Sequence, residues 1–155
     1  MAAEPPVVRV AVIHGPNLQR IGKREPEVYG TDSLADVDDA LSALAVDLGV
    51  TLETIQSNHE GEIIDFISDA EARVDGFLIN PGGLTHTSVV LRDALVGVDR
   101  PFVEVHLSNV AGREDFRRHS YLAPVAAGVV SGFGLQSYLL GLRGLVRQLP
   151  GTSVS

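Results

Sequence analysis

The sequence contains no cysteine and only one lysine among its 12 basic residues. Without cysteine there are no disulfides, thiolate metal sites or cysteine nucleophile. The single lysine, Lys23, lies in a charged, glycine-flanked stretch. Imine chemistry needs a lysine that is neutral when it attacks, which burial or cationic neighbours usually achieve. Schiff-base catalysis is therefore not expected.

Long apolar runs and an excess of positive charge are also missing. No run approaches the roughly 20 residues of a membrane span. The 20 acidic residues outnumber the 12 basic ones and give a net charge of −8, which disfavours binding to nucleic acid or to an anionic membrane. An anionic substrate would need a local arginine cluster. The first six residues lack the positive segment of a signal peptide, so we expect a cytoplasmic protein.

The length and composition predict one domain. The chain has 155 residues, 45% of them hydrophobic, and about 150 residues per domain is usual. We expect a single domain over residues 1–155, with frayed tails at 1–6 and 150–155. A chain of this size buries one substantial core.

Apolar runs alternate with segments of helical period. Short runs of this kind are typical of strands buried on both faces of a parallel sheet. We expect strands at 7–13, 51–56, 76–80, 102–106 and 125–130, and helices at 34–48, 60–72, from a Thr87 or Ser88 cap to about 96, near 113, and at 133–148. This order predicts an α/β fold, a doubly wound, flavodoxin-like three-layer sandwich on a five-stranded parallel sheet. Ligands bind such sheets outside the carboxyl ends of the strands.

Two polar segments follow predicted strands. In the fourth strand, Glu104, His106 and Ser108 point to one side, and a carboxylate beside a histidine can make a positioned general acid or base. The alternative is a strand-end histidine satisfied by its neighbour, without chemistry. The segment 80–88 places Asn80, two glycines and His86 ahead of a helix, where N–H groups favour anions. An ordinary strand-to-helix turn is the alternative.

Two arginine-bearing segments follow. Residues 18–30 form a connection longer than most strand-to-helix loops, which is typical of a lid, and it carries Arg24 and Tyr29. A solvated surface loop is the plainer interpretation. Arg113 and Arg117 would share one face of a helix and bind a carboxylate or phosphate. They could equally pair with Glu114 and Asp115.

These segments together resemble the type II 3-dehydroquinate dehydratases. The matching strings, in family order, are GPNL at 15–18, GKREPEVYG at 22–30, QSNHEGEIID at 56–65, NPGGLTHTSVVLRDAL at 80–95, EVHLSNV at 104–110 and REDFRRHSYL at 113–122. The resemblance implies cofactor-independent dehydration of 3-dehydroquinate to 3-dehydroshikimate by anti elimination through an enolate. The shortage of lysine agrees with it, since the type I enzymes form a lysine imine.

The resemblance also implies catalytic roles. Tyr29 would remove the C2 proton, activated by Arg24, and His106, held by Glu104, would protonate the departing hydroxyl. Asn17 would help to stabilise the enolate through water. A tyrosinate near neutral pH needs a close cation, because free tyrosine has a pKa near 10.

Further residues would bind substrate or a neighbouring subunit. Asn80, His86 and Arg117 would bind substrate hydroxyls, and the backbone at Leu107 and Ser108 its carboxylate. Arg113 would support a closed lid. Asp93 would reach the site of a neighbouring subunit, which implies a homo-oligomer, typically a dodecamer built from trimers.

The sequence departs from the family pattern in two places. His14 stands where asparagine is common, and Ala111 and Gly112 replace a pair that often contains histidine. Two other functions stay open on the residues alone. One is a metal-dependent hydrolase or lyase using His86, His106 and Glu104, and the other is a binding or receiver module. A receiver would need an acidic cluster after the first strand, and a dinucleotide-binding module would need a G-x-G-x-x-G pattern there. The sequence has neither at that place.

Overall fold

A computed structural model describes residues 7–23, 27 and 30–151 of the chain. Over these residues the strands are β1 (Val8–His14), β2 (Val50–Gln56), β3 (Gly76–Asn80), β4 (Phe102–His106) and β5 (Gly128–Ser131). The longer helices are α1 (Leu34–Leu48), α2 (Glu60–Ala70), α3 (Val89–Gly97) and α4 (Leu135–Val146). None of these helices combines the length and apolarity that crossing a bilayer requires.

The strands form one parallel sheet in the order β2-β1-β3-β4-β5. Strand order reverses between β1 and β3, where His14 is paired with Asn80. The predicted doubly wound α/β fold is thus confirmed. In such sheets the reversal opens a crevice at the carboxyl ends of the two strands.

Alternate side chains of the central strands build two cores, one on each face of the sheet. On one face, Val10, Val12 and Leu78 pack with residues of α1 and α4. On the other, Ile13 and Ile79 pack with residues of α2 and α3. This two-sided burial explains why the central strands are continuous apolar runs. The predicted three layers follow from it.

The start and end of α1 lie where the sequence predicts. Ser33 accepts from the amide of Asp36 at 3.1 Å, and the Asp36 carboxylate accepts from the Ser33 amide at 2.9 Å. This reciprocal capping box fixes the first turn. Gly49 ends the helix with φ 70°, a left-handed conformation that glycine adopts without steric cost.

Three expectations need correction. The segment near Arg113 is not an α-helix; it forms short 3₁₀ turns at Val110–Gly112 and Asp115–Arg117. The fifth strand begins at Gly128 rather than at 125, because the amides of Val125 and Ala126 both bond the Leu122 carbonyl at 3.0 Å and so cannot pair with β4. Burial on both faces fails for β2 and β5, which lie at the sheet edges; Val129 is 47% exposed.

Two further helices differ slightly in extent from the prediction. The second helix ends at Ala70 and the last spans Leu135–Val146, with Gly134 before it at φ 58°. Residues 1–6 and 152–155, where we expect most of the fraying, lie outside the described residues. The single-domain boundary at 1–155 stays a prediction.

Candidate active site

A cavity of about 150 Å³ opens at the carboxyl ends of β1, β3 and β4. It lies beside the reversal of strand order, where parallel sheets bind ligands. Eight of the residues singled out from the sequence line it: Asn17, Asn80, His86, His106, Leu107, Ser108, Arg113 and Arg117. The fold thus brings together side chains that are up to 100 positions apart in the chain, since Asn17 and Arg117 line the same cavity.

Glycines allow the loops after β1 and β3 to approach closely beneath this cavity. The Gly15 amide donates to the Asn80 carbonyl at 2.8 Å. A Cβ at Gly15 would lie 2.7 Å from the carbonyl oxygen of Pro81, and one at Gly82 would lie 3.0 Å from that of Pro16. Gly82 also has φ 57°. Larger residues at these two positions would push the loops apart.

Asn17 occupies an unusual backbone conformation in the first of these loops. Its φ is 71°, a left-handed value that asparagine tolerates better than most residues. Its amide donates to Asn58 Oδ1 at 2.9 Å. Gln56 Nε2 donates to the Gly15 carbonyl and to Asn58 Oδ1, both at 3.2 Å. Residues at the end of β2 therefore hold Asn17 at the cavity rim.

His106 and Glu104 form a buried pair on β4. Nε2 of His106 lies 2.5 Å from Oε2 of Glu104, and the two residues are 5% and 1% exposed. The same Oε2 accepts from Thr85 Oγ1 at 2.8 Å. Ser120 Oγ donates to Oε1 at 2.9 Å. Buried carboxylates of this kind need several donors to stay charged.

The hydrogens around this pair identify the nitrogen that is available for chemistry. Ser120 Oγ accepts from the amides of Leu122 and Ala123 at 3.1 and 3.0 Å, so its own hydrogen is free to donate to Glu104. With Glu104 accepting throughout, Nε2 of His106 must carry the hydrogen that it donates. The other ring nitrogen, Nδ1, is then left to accept or deliver a proton.

The donors outweigh the effect of burial on Glu104. Burial alone would raise the pKa of this carboxyl group. The hydrogen bond and charge of His106, with the hydroxyls of Thr85 and Ser120, instead hold the pKa of Glu104 below its usual range. Glu104 is thus a fixed carboxylate behind the imidazole, a common way to orient a general acid or base.

His86 lies across the cavity from His106. The two rings are stacked, with centroids 6.4 Å apart and planes 16° apart. Nδ1 of His86 lies 2.8 Å from the carbonyl oxygen of His119, which can only accept, so Nδ1 carries the hydrogen. In the neutral ring, Nε2 is then an acceptor suited to a hydroxyl hydrogen.

Two arginines give the cavity positive charge within an acidic protein. Arg117 Nε bonds Glu114 Oε2 at 2.6 Å, and Arg113 Nη1 lies 3.3 Å from Ser108 Oγ. Arg113 Nε also approaches Glu114 Oε1, at 3.9 Å. The two arginines thus pair with Glu114 and still line the cavity, although their segment is not an α-helix. The Arg117 pair holds the pKa of Glu114 below its usual value.

Comparison with known proteins decides the family. The model of the family described as dehydroquinase class II matches residues 8–146. The chain belongs to this family. The match runs from the first strand to the end of α4, so it includes every element that lines the cavity.

Relatives of the dehydroquinase family match most of the chain. A 3-dehydroquinate dehydratase of Gloeobacter violaceus is 59% identical over 138 residues, covering 89% of this chain and 86% of the relative. A catabolic 3-dehydroquinase of Aspergillus oryzae is 56% identical over 129 residues, covering 83% and 84% of the two chains. The crystal structure of a type II dehydroquinase from Butyrivibrio crossotus has a TM-score of 0.87 and 40% identity, covering 90% of this chain and 97% of that one.

Two further residues singled out from the sequence are described and do not line the cavity. Glu104 lies behind His106, and Asp93 is exposed on α3. Arg24 and Tyr29 fall outside the described residues.

Several residues of the site were missed by sequence reasoning. Thr85 and Ser120 bond Glu104, while Gln56 and Asn58 hold the Asn17 loop. Tyr138, fully buried on α4, lies with Oη 2.8 Å from Nδ1 of His14, the last residue of β1. Thr85 lies in the polar segment 80–88 that follows a predicted strand, and Ser120, Gln56 and Asn58 lie in the matching strings; these were the available signals. Tyr138 lies in an apolar helical pattern that is indistinguishable from ordinary core.

Among the described residues, no group of three or more histidine, aspartate or glutamate side chains is arranged to hold a metal ion. His106 and Glu104 bond each other through Nε2 and Oε2 instead of converging on a shared centre. This geometry suits proton transfer better than metal binding.

Proposed function

We propose that this enzyme of the type II dehydroquinase family dehydrates 3-dehydroquinate to 3-dehydroshikimate by anti elimination through an enolate. The observation that carries the proposal is the buried Glu104–His106 pair at the cavity, with Nε2 bonded to the carboxylate. Family membership and the 59% identical relative named 3-dehydroquinate dehydratase support it.

In the proposed reaction, Tyr29 as tyrosinate takes the proton from C2, and the electrons of that C–H bond form the enolate. The C–O bond to the departing hydroxyl then breaks as the ring double bond forms and the ketone is restored. Nδ1 of protonated His106 supplies the proton that turns hydroxide into water. Return of a proton from Tyr29 to solvent and recharging of His106 complete the cycle.

Anti elimination requires the base and the acid on opposite faces of the ring. Tyr29 belongs to the segment between β1 and α1, whereas His106 ends β4. Two separate chain elements can bracket one ring in this way. Arg24, which carries a fixed positive charge, would favour the tyrosinate, and its effect is strongest once water is excluded.

Negative charge develops on the enolate oxygen and needs a stabilising donor. We assign that role to Asn17, acting through a water molecule. Its place on the cavity lining and its backbone bond to Asn58 support the assignment. A residue whose backbone is held by a second loop needs little rearrangement during the reaction.

The polar substrate would be bound by the other cavity residues. We assign its hydroxyls to Asn80, His86 and Arg117. Its carboxylate is assigned to the backbone at Leu107 and Ser108. Arg113, beside Ser108, would support the closed lid and add positive charge near that carboxylate.

We also propose a homo-oligomer, a dodecamer built from trimers, in which Asp93 reaches a neighbouring site. Asp93 lies on α3 between exposed apolar residues, with Val90 50% and Val96 58% exposed. Unpartnered apolar surface of this kind favours contact with another chain. Sedimentation of the protein tests this, since a monomer at working concentration would contradict it. We place the enzyme in the cytoplasm.

The experiment that tests the reaction is an absorbance assay for the conjugated enone product, run with and without borohydride. We expect 3-dehydroquinate to be converted at the same rate in both samples, because no lysine imine forms. Lack of conversion would overturn the proposed substrate. Inactivation by borohydride during turnover would overturn the enolate route.

A further inference from the structure

A turn of three residues, Gly132-Phe133-Gly134, joins β5 to α4 and has no part in the proposed mechanism; we call it the glycine turn. The amide of its first glycine donates to the His106 carbonyl at 3.4 Å, and the amide of its second donates to the Leu107 carbonyl at 2.9 Å. Leu107 and Ser108 line the cavity, whereas the glycine turn does not. The turn therefore contacts the backbone of the cavity from behind.

These two hydrogen bonds fix the direction of two consecutive amides. In a trans peptide the N–H points opposite to the carbonyl of the preceding residue. The carbonyls of His106 and Leu107 both point at the glycine turn, so the amides of Leu107 and Ser108 both point away from it. Since these last two residues line the cavity and the turn does not, both amides face the cavity.

Both amides belong to buried residues. Leu107 is 5% exposed and Ser108 is 8% exposed. Within the described part of the chain, neither amide donates to an acceptor. Buried N–H groups without a partner are rare because they cost free energy, and neighbouring amides that face one space form sites for anions. The backbone held by the glycine turn is therefore suited to a carboxylate.

The second glycine of the turn has a conformation that a side chain disfavours. Gly134 has φ 58° and ψ −136°, values that glycine adopts far more readily than other residues. The turn is anchored to α4, because the buried Oγ of Ser137 accepts from the Phe133 amide at 2.9 Å. A Cβ at Gly134 would meet no described atom within 4 Å beyond its chain neighbours. Alanine would therefore strain the backbone without a clash, and relief of the strain would move the Gly134 amide away from Leu107.

We infer that Gly134 is a positioning residue for the substrate carboxylate: its amide holds the Leu107 carbonyl, and the same peptide aims the Ser108 amide into the cavity. This role rests on the proposed function, which assigns the carboxylate to the backbone at Leu107 and Ser108. The Gly134 bond involves neither the proposed base, Tyr29, nor the ring of His106. Its loss should weaken binding of the carboxylate and leave proton transfer in place.

Gly134→Ala tests this role, with Gly49→Ala as its matched control. Gly49 also has a positive φ, 70°, and a Cβ there would likewise meet no described atom within 4 Å beyond its chain neighbours. It lies between α1 and β2, at the end of the sheet opposite the cavity. Alanine costs stability where the native φ is positive, so both variants should unfold at lower urea concentrations than the wild type. Only Gly134→Ala should change substrate binding.

The first measurement is KM for two substrates, 3-dehydroquinate and its methyl ester, which lacks the negative charge. In Gly134→Ala, KM for the acid should rise by roughly tenfold, the scale of one lost hydrogen bond. KM for the ester and kcat for the acid should stay close to the wild-type values. Gly49→Ala should match the wild type with both substrates. An equal rise for acid and ester in Gly134→Ala, or no rise for the acid, overturns the inference.

Calorimetric binding of the acid and the ester gives a second readout that needs no turnover. The affinity of Gly134→Ala should fall for the acid alone, and an equal fall for both ligands contradicts the role of Gly134. A wild type that binds both ligands but converts neither in the enone assay would remove the proposed function and leave this comparison standing.

If Gly134→Ala does not fold, replacement of Gly134 with D-alanine by semisynthesis decides. Reversing both signs of the Gly134 angles gives φ −58° and ψ 136°, which lie in the polyproline region of ordinary residues. D-alanine, as the mirror image, therefore favours the native angles of the turn and should keep the wild-type KM for the acid. A folded D-alanine variant with a raised KM for the acid overturns the inference.

Discussion

Thr85 donates its hydroxyl hydrogen to Oε2 of Glu104 at 2.8 Å, the same oxygen that accepts from His106 at 2.5 Å. Thr85 is 0% exposed and lies in the 3₁₀ turn that follows β3. The turn that lines the cavity thus also fixes the carboxylate behind it. Strands β3 and β4 are coupled at the site through this hydroxyl.

Replacement of Thr85 with valine should reduce kcat by about tenfold, because the carboxylate loses one of its donors without a change in side-chain size. Steady-state kinetics check this, with Thr87→Val as the control, since Thr87 is exposed two positions away. Thr85→Ser restores the hydroxyl and should recover most of the rate. A Thr85→Ser variant as slow as Thr85→Val would show that packing, and not the bond, is what matters.

Replacement of Glu104 with glutamine should reduce turnover by at least about 100-fold, the usual scale for a positioned acid or base. The amide is the same size but cannot balance the charge of the imidazolium or accept on both atoms. Glu53→Gln is the matched control, because Glu53 pairs with Arg73 at the surface, 2.6 Å away. Turnover above a tenth of the wild-type value in Glu104→Gln would contradict the role of His106.

The lowered pKa of Glu104 also predicts how folding stability depends on pH. The unfolded carboxyl group titrates near its ordinary value of 4.5, and the folded one titrates lower. The stabilisation is complete above 4.5 and is lost as pH falls toward the folded value, because the unfolded chain binds the proton more readily. Urea unfolding should give a wild-type advantage over Glu104→Gln that shrinks below pH 4.5. An advantage that is constant down to the acid limit would contradict the assignment.

Much of the fold could be predicted from local signals in the sequence. The Ser33 cap and the Gly49 terminator are short-range features, and the predicted limits of α1 match the structure. The central strands were readable because burial on both faces makes them continuously apolar. The connection between β4 and β5 could not be predicted from the sequence. Its amides bond the Ser120 side chain and the Leu122 carbonyl in tight turns, which leave no periodic pattern.

The site was predictable where its residues carry their own chemical signature and not where they act through another residue. Glu104 and His106 alternate on one strand, so their contact follows from strand geometry. Tyr138 reaches His14 only because α4 packs across the sheet. No local pattern separates such a tyrosine from a core residue, which is why the bond between Tyr138 and His14 required the structure.

Removal of metal ions should leave the activity unchanged. The alternative of a metal-dependent lyase would use His86, His106 and Glu104 as ligands. Nε2 of His106 and Nδ1 of His86 are both already bonded, to Glu104 and to the His119 carbonyl. Dialysis against a chelator, followed by the enone assay, checks this with re-addition of zinc or magnesium as the control. Loss of activity that added metal restores would contradict proton transfer by His106 alone.

Replacement of Tyr29 with phenylalanine or of Arg24 with alanine should each reduce kcat by at least about 100-fold. The first variant removes the base, and the second removes the cation that favours the tyrosinate. Tyr121→Phe and Arg147→Ala are the matched controls, since neither residue lines the cavity. Calorimetric binding of 3-dehydroquinate should persist in Tyr29→Phe, because the cavity residues that hold the substrate are unchanged. Near wild-type turnover in either variant would mean that the proton at C2 leaves by another route.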